Sequence, residues 1–308
     1  MEQRNAGKVA LCFPGQLSKV PDELGGEMSS GGEKRFPHPF FEKTWEKVGF
    51  DLFSFFFQQE EEDRCLNLKL QVASYLLSMV SFDQYCRKGG RGDFIAEHSM
   101  GIYAALAAAE VMTFEEGLEM VKGIGLILER VEEQSPGGLI VIIGLASENI
   151  KGICSSVEGD LYVANVNGSR QFVLSGDKKA IERGMELALQ QGAISAQRLT
   201  FNTPLHSPLM ESAMSDVRKF VTGFTIHPPR IPVVSHWGGR HLSDPDEIRD
   251  FLAEELCKPV DWEGGVQYLL SAGVTCFIEM GPHDTLTRLI RWINRDVKAL
   301  SYGVRDII

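Results

Sequence analysis

Short apolar runs alternate along the chain with longer segments of helical periodicity. The run "KVALCFPG" at residues 8–15 has no helical period and ends in a Pro-Gly turn, which predicts a buried strand. A helical pattern over residues 40–85 is followed by a second strand near residues 93–97 and then by an alanine-rich helix. Strands that alternate with helices in this way are typical of parallel sheets. The first part of the chain therefore predicts a parallel α/β sheet.

A capping box predicts the start of the next helix. Thr113 and Glu116 stand three residues apart at the beginning of a helical pattern that runs to Val131. In a capping box the hydroxyl and the carboxylate each accept a backbone N–H of the first turn. We therefore expect a helix over residues 113–131.

The pattern changes between residues 137 and 199. A strand and a helix are followed by two strands joined by the turn "NGSR", a second helix and a fourth strand. This order is that of a ferredoxin-like unit. We predict a ferredoxin-like subdomain at 137–199, inserted into an α/β subdomain of residues 1–136 and 200–308. After the insertion the α/β pattern resumes with a strand in "IPVVSH", helices in "DEIRDFLAEEL" and "WEGGVQYLLSAG", a strand in "VTCFIEMG" and a last helix.

Composition excludes several classes of protein. A chain of 308 residues with 44% hydrophobic content can bury a large core. The longest apolar runs, such as Gly138 to Ala146, are far shorter than the roughly 20 residues that cross a bilayer. The six cysteines are scattered, without the spacing of metal ligands. We therefore predict a soluble, cytoplasmic protein with reduced thiols, no metal site and no membrane contact.

The net charge of −11 disfavours nucleic acid and anionic membranes as partners, because both require a cationic face. One local exception is a helical stripe formed by Arg288, Arg291 and Arg295. It is either a solvated helix face or a docking surface for an acidic partner.

The candidate nucleophile is Ser99, in the stretch "DFIAEHSMGIYAALAAAEV". A serine between an apolar strand and a helix is typical of a nucleophile elbow, although Glu97 stands where the GxSxG pattern has its first glycine. The alternative is that Ser99 caps the helix. We expect Glu97 to point into solvent or to pair with a cation.

A serine nucleophile also needs an oxyanion hole and a base. The N–H of Met100 lies at the start of the helix, and the turn "FPGQ" could supply the N–H of Gln16 from the same edge of the sheet. The best-placed base is His206 in "FNTPLHSPLM", with His236 and His283 as secondary candidates. A loop histidine without a catalytic role remains the alternative.

Six ordered motifs resemble one family. They are "FPGQ", "EHSMG", "NVNGSRQFVLSG", "PLHSPLM", "KPVDW" and "EMGPHDTLT". In this order and spacing they are similar to those of the malonyl-CoA:acyl-carrier-protein transacylases, from about residue 8 to about residue 302. The resemblance implies an α/β-hydrolase-like subdomain with a ferredoxin-like insertion, as the pattern predicts.

The resemblance also implies residue roles. Ser99 would be acylated, His206 would be its base, and the N–H groups of Gln16 and Met100 would bind the oxyanion. The carbonyl of Asp261 would orient the histidine. Acyl-CoA and the phosphopantetheine of an acyl carrier protein would be substrates of a ping-pong reaction, with no bound cofactor. The residues expected to bind substrate are Ile124, Leu205 and Asn167.

One departure from the family concerns the acyl group. Malonyl-selective members hold the free carboxylate with an arginine, and Ile124 occupies the matching position of "VKGIGLILER". Isoleucine cannot form that charge-assisted pair, and burying an unpaired carboxylate costs several kcal/mol. Lys122 and Arg130 lie on other faces of the helix. We therefore predict an uncharged acyl group such as acetyl.

The leading hypothesis is an acyltransferase that loads a short, non-carboxylated acyl group onto a carrier protein, in fatty acid or polyketide biosynthesis. One alternative is a hydrolase that clears acyl groups from carrier proteins. The other is a non-catalytic homologue that binds a carrier protein.

Overall fold

The computed structural model describes residues 7–17, 38–50, 55 and 66–303. In this part of the chain the strands are β1 (Lys8–Phe13), β2 (Phe94–Glu97), β3 (Gly137–Ile143), β4 (Leu161–Gly168), β5 (Gln171–Asp177), β6 (Ser195–Arg198), β7 (Val233–Val234), β8 (His241–Leu242), β9 (Val260–Asp261), β10 (Val274–Met280) and β11 (Lys298–Tyr302). The helices are α1 (Pro39–Val48), α2 (Leu66–Arg87), α3 (Gly101–Ala108), α4 (Phe114–Gln134), α5 (Ser147–Ser156), α6 (Lys178–Gln190), α7 (Glu211–Val221), α8 (Pro245–Glu254), α9 (Trp262–Ser271) and α10 (Thr285–Ile293).

The chain forms two compact units. The first comprises residues 1–122, 227–243 and 265–308, and the second comprises residues 123–226 and 244–264. The second unit thus extends on both sides of the 137–199 segment named as a subdomain from the sequence.

The first unit contains a six-stranded sheet in the order β11-β10-β1-β2-β7-β8. Neighbouring strands from β11 to β7 are parallel, and β8 returns antiparallel to β7. The last four residues of β1 and all four residues of β2 are buried, which explains why these residues are apolar except for Glu97. The parallel α/β sheet expected from the sequence is confirmed.

The second unit contains a five-stranded sheet in the order β6-β3-β5-β4-β9. The strands β3 to β6 pair antiparallel, whereas β9 joins β4 in parallel. The inward faces of these strands pack on α5 and α6 through an apolar core that includes Ile142, Phe172 and Leu174. The ferredoxin-like order of strands and helices is therefore confirmed, with β9 as an added edge strand.

Caps fix the starts of two helices that the sequence predicts. The Thr113 hydroxyl accepts the N–H of Glu116, and the Glu116 carboxylate accepts the N–H of Thr113 at 2.8 Å, which is the reciprocal capping box. The Asp177 carboxylate accepts the N–H groups of Lys179 and Ala180 at the start of α6. The first of these helices begins where the capping box predicts, and the Asp177 cap is seen only in the structure.

Some elements were not anticipated from the sequence. The helix α7 and the edge strand β11 follow no clear pattern of their own, and β8 and β9 are only two residues long. The strand expected in "IPVVSH" is present as the two residues of β7. The predicted helical segment 40–85 contains α1 and α2, and residues 51–54 and 56–65 lie outside the described part of the chain. Within the described residues, no helix combines the length and apolarity that a membrane span requires.

Candidate active site

Ser99 lies at a sharp turn between β2 and α3 in the first unit. Its φ of 56° is in the left-handed region, although it is not glycine. Such a conformation costs about 1–3 kcal/mol and persists only where the surrounding structure holds it. A helix N-cap residue has extended backbone angles instead, and the residue that precedes α3 is Met100. The geometry is therefore that of a nucleophile elbow rather than of a capping serine.

Two glycines allow the elbow to pack against the "FPGQ" turn. A Cβ on Gly101 would lie 2.2 Å from the carbonyl oxygen of Phe13, so no larger residue fits there without movement of the backbone. A Cβ on Gly15 would lie 3.1 Å from the carbonyl oxygen of His98 and 3.7 Å from Cβ of Ser99. The turn and the elbow are thus held in direct contact.

The turn is also fixed on its far side. The N–H of Leu17 donates to Oγ of Ser74 at 2.8 Å, and the Gln16 amide lies 3.4 Å from Oδ1 of Asn67. Both partners belong to α2. The structure therefore brings Gln16 and Met100, the two expected oxyanion donors, onto adjacent backbone segments beside Ser99.

Glu97 is buried and does not point into solvent. Only 1% of its surface is exposed. Its Oε1 accepts the backbone N–H of His236 at 2.8 Å, and its Oε2 lies 2.7 Å from Nδ1 of the same residue. Of the two alternatives expected for Glu97, solvent exposure is wrong, and the partner of the carboxyl group is the buried side chain of His236.

Burial favours the neutral forms of this pair. Desolvation raises the pKa of Glu97 to about 8, although the N–H of His236 opposes the shift, and it lowers the pKa of His236 to about 3. One proton held in the 2.7 Å contact leaves the pair without net charge. The pair therefore titrates as a unit rather than as two independent groups.

His206, in the second unit, is held by backbone carbonyls. It is 3% exposed and has a φ of 58°. Its ring atom Nδ1 lies 3.0 Å from the carbonyl oxygen of Glu255 and 3.2 Å from that of Lys258. The backbone N–H of His206 donates to the carbonyl oxygen of Leu256 at 2.7 Å. Because carbonyl oxygens only accept, Nδ1 carries the proton. In the neutral ring Nε2 then has the lone pair that a base needs.

The carbonyl that orients the histidine was expected to belong to Asp261. The carbonyl oxygens that the structure places at Nδ1 belong instead to Glu255 and Lys258. Asp261 lies further along, in β9, where its carboxylate accepts the N–H of Gly264 at 2.9 Å. The chain folds back to His206 through the 3-10 turn at Glu255–Cys257, and no local pattern marks this contact.

The residues expected to bind substrate are wholly or partly buried in the second unit. Ile124 is 2% exposed on α4, and Asn167 is buried in β4. Leu205 is partly buried and packs on a small apolar cluster that includes Leu139 and Val173. Side chains with this degree of burial can line a substrate-binding site, and the roles of these three residues stay predictions.

The two cations closest to Ile124 in the sequence have contacts of their own. Nζ of Lys122 donates to the carbonyl oxygen of Lys47 at 3.0 Å. The Arg130 guanidinium is exposed and lies 3.9 Å from the Asp216 carboxylate.

The arginine stripe on α10 is partly neutralised. Arg288 is paired with Asp284, and Arg291 donates to the carbonyl oxygen of Ala299 at 2.7 Å. Arg295 is exposed just beyond the helix, and the neighbouring Trp292 is 59% exposed. Arg295 and Trp292 therefore expose a cation and an aromatic ring near the end of α10.

The fold and the site residues define a class of protein. A parallel α/β sheet carries a serine on a strained strand-to-helix elbow, and a buried histidine has its Nδ1 proton fixed by carbonyls. Acyl transfer by nucleophilic catalysis requires a nucleophile and a base, and the assignment of these roles to Ser99 and His206 stays a prediction.

A comparison with family models agrees. The family described as the acyl transferase domain matches residues 43–301, so the chain belongs to the acyl transferase family.

Similar proteins extend over nearly the whole chain. The chain is 31% identical to the malonyl CoA-acyl carrier protein transacylase of Bacillus subtilis over 307 residues, which cover 98% of this chain and 95% of that protein. An acyl carrier protein S-malonyltransferase from Vibrio cholerae matches with a TM-score of 0.83, at 28% identity and 96% coverage of both chains. A malonyl-transacylase solved with a type II PKS acyl-carrier protein matches with a TM-score of 0.87, at 28% identity and 97% coverage of both chains.

Proposed function

We propose that this protein transfers an acyl group from acyl-CoA to the phosphopantetheine thiol of an acyl carrier protein, through an ester on Ser99. The observation that carries the proposal is the left-handed backbone of Ser99 at the junction of β2 and α3, in a chain of the acyl transferase family. The similar proteins named as transacylases of acyl carrier protein support the choice of acceptor.

In the first half-reaction His206 accepts the proton of the Ser99 hydroxyl at Nε2 while Oγ attacks the thioester carbonyl. The N–H groups of Met100 and Gln16 stabilise the oxyanion of the tetrahedral intermediate. Its collapse breaks the C–S bond, and the CoA thiolate takes the proton from the imidazolium. The carbonyls of Glu255 and Lys258 keep the Nδ1 proton in place, which supports this tautomer.

The second half-reaction uses the same groups in reverse. His206 takes the proton of the phosphopantetheine thiol, and the sulfur attacks the ester carbonyl. The tetrahedral intermediate then expels the Ser99 oxygen, which recovers its proton from the imidazolium. The reaction is therefore ping-pong, with the acylated enzyme as its intermediate.

We further propose that the acyl group is uncharged. Ile124 is buried where malonyl-selective members of the resembled family carry an arginine, and Lys122 and Arg130 have partners elsewhere. A malonyl carboxylate bound beside Ile124 would lose its hydration without gaining a cation, at a cost of several kcal/mol. An acetyl group avoids this cost.

Intact-protein mass spectrometry after incubation with acetyl-CoA or malonyl-CoA tests both proposals. We expect an acetyl adduct that is absent in Ser99→Ala and a much weaker malonyl adduct. Ile124→Arg should raise malonyl acylation relative to acetyl by about tenfold or more, because a charge-assisted pair becomes available. Ile124→Met, which introduces an unbranched side chain without a charge, is the matched control for Ile124→Arg.

Each outcome has a separate meaning. Equal acylation by both donors, or a preference for malonyl-CoA, would refute the uncharged substrate while leaving acyl transfer intact. The absence of any adduct on Ser99 would refute the mechanism. Release of free acid at the same rate with and without carrier protein would indicate a hydrolase.

A further inference from the structure

The buried pair of Glu97 and His236 lies at the end of the strand that leads into the elbow. The ladder between β2 and β7 contains only two residue pairs, Ile95 with Val233 and Ala96 with Val234. Beyond it, the N–H of His236 donates to the Glu97 carboxylate at 2.8 Å instead of to a main-chain carbonyl. The side chain of Glu97 thus continues the pairing where the backbone ladder stops.

The opposite side of the same strand end is held by β1. Glu97 is paired with Phe13, and the N–H of His98 donates to the carbonyl oxygen of Phe13 at 3.0 Å. With His236 on the other side, the last residue of β2 is fixed from both neighbours. Ser99 follows two residues later in its left-handed conformation.

The pair is buried and hydrogen-bonded at both carboxylate oxygens. Both side chains are fully buried, and the Oε2–Nδ1 distance is 2.7 Å. A buried carboxyl group is costly unless its oxygens have hydrogen-bond partners, and both oxygens of Glu97 find them on His236.

We propose that Glu97 and His236 are positioning residues for the nucleophile: their hydrogen-bonded pair fixes the end of β2 and thereby holds Ser99 in its reactive backbone conformation. The proposal rests on the proposed function, in which Ser99 is acylated. It predicts that the geometry of the pair matters, and not the charge of the carboxylate.

Three variants of Glu97 separate geometry from charge. Glu97→Gln keeps the length and both contacts, because its carbonyl accepts the His236 N–H and its NH₂ donates to Nδ1. Glu97→Asp keeps an ionisable carboxyl group but is one methylene too short to span the same distances. Glu97→Ala removes both contacts.

The first readout is the single-turnover rate of Ser99 acylation as a function of acyl-CoA concentration, measured below the unfolding temperature of every variant. We expect the maximal rate to fall about tenfold or more in Glu97→Ala and Glu97→Asp, because small displacements of a nucleophile are costly. The rate should stay within about threefold of wild type in Glu97→Gln, since the amide supplies the same acceptor and a donor. The half-saturating acyl-CoA concentration should not change.

The second readout is independent of acylation. Amide hydrogen exchange in a peptide spanning residues 94–103 should be faster in Glu97→Ala and Glu97→Asp than in wild type and Glu97→Gln. The matched control is Tyr268→Phe, which removes the 2.6 Å hydrogen bond to Nε2 of His241 in β8 of the same sheet. It should lower stability without changing acylation or exchange at the elbow.

Wild-type acylation and exchange in the Ala and Asp variants would overturn the proposal. Equal slowing in the Gln and Ala variants would also overturn it, because charge would then matter and not position. If wild type forms no Ser99 adduct, the proposed function fails, and hydrogen exchange alone still decides whether the pair holds the elbow.

Discussion

At the scale of single residues, three non-glycine positions among the described residues have φ in the left-handed region, namely Ser99, Glu110 and His206. Glu110 follows the end of α3, where such a conformation is common. The other two are the candidate nucleophile and base, and neither ends a helix. Strained backbone at these two positions is consistent with a functional role, because strained residues cluster at active sites.

Glu97 provides a pH-dependent prediction at this scale. Burial raises its native pKa to about 8 from an ordinary value of 4.5. A carboxyl group with a raised pKa contributes stability that is complete at low pH and is lost as the pH rises through this window. The free energy of unfolding of wild type relative to Glu97→Gln should therefore decrease between about pH 5 and pH 8.

Urea unfolding of both proteins at several pH values measures this difference. Burial lowers the pKa of His236 from 6.5 to about 3, which gives the opposite slope between these values. The amide of Glu97→Gln donates to Nδ1 and also keeps the ring neutral, so this slope is common to both proteins. A difference that is independent of pH would show that Glu97 is ionised throughout.

At the scale of elements, caps and tight turns decide where each helix and strand ends. Asp177 ends β5 and caps α6, and its carboxylate also accepts the N–H of Asp160. Burial alone would raise its pKa, but the N–H groups of Ala180, Asp160 and Lys179 lower it below the ordinary value. One side chain thus connects the start of a helix to two strands of the ferredoxin-like sheet.

Asp177→Ala should reduce the free energy of unfolding at pH 7 by about 1 kcal/mol, as expected for the loss of an N-cap. Asp177→Asn keeps an acceptor and should lose less. Because the native pKa is lowered, the advantage of wild type over Asp177→Asn should disappear as the pH falls through that pKa. Chemical denaturation at neutral and acidic pH gives both comparisons, and an Ala variant as stable as wild type would contradict the role of the cap.

At the scale of the whole molecule, the net charge of −11 makes any basic surface a candidate for contact with an acidic partner. An acidic carrier protein would be attracted to such a surface. Of the three arginines in the stripe, Arg288 and Arg291 have local acceptors, so Arg295 is the best test of a docking role.

Arg295→Glu should raise the apparent KM for the carrier protein several-fold and leave acylation of Ser99 by acyl-CoA unchanged, because charge affects encounter with the partner. Arg183→Glu, on α6, changes the net charge equally and is the control. Steady-state kinetics with varied carrier concentration measure the effect. A parallel loss of acylation, or an equal effect of both variants, would refute docking at this stripe.

The sequence by itself determined the elements with strong local patterns. The buried strands β1, β2 and β10, the capped helices α4 and α6, and the ferredoxin-like order are all visible in the spacing of apolar and capping residues. It also singled out Ser99, because an elbow is a local motif of a strand, a serine, a glycine and a helix.

Only the tertiary structure decided the partners of these residues. Glu97 and His236 are 139 residues apart, and they meet because β7 pairs with β2. The sequence predicts a strand at each place but does not predict that the two are neighbours in the sheet. The carbonyls of Glu255 and Lys258 reach His206 across about 50 residues in the same way. Local periodicity records which face of an element is buried, whereas contacts between distant segments depend on strand order and loop paths, which no single segment encodes.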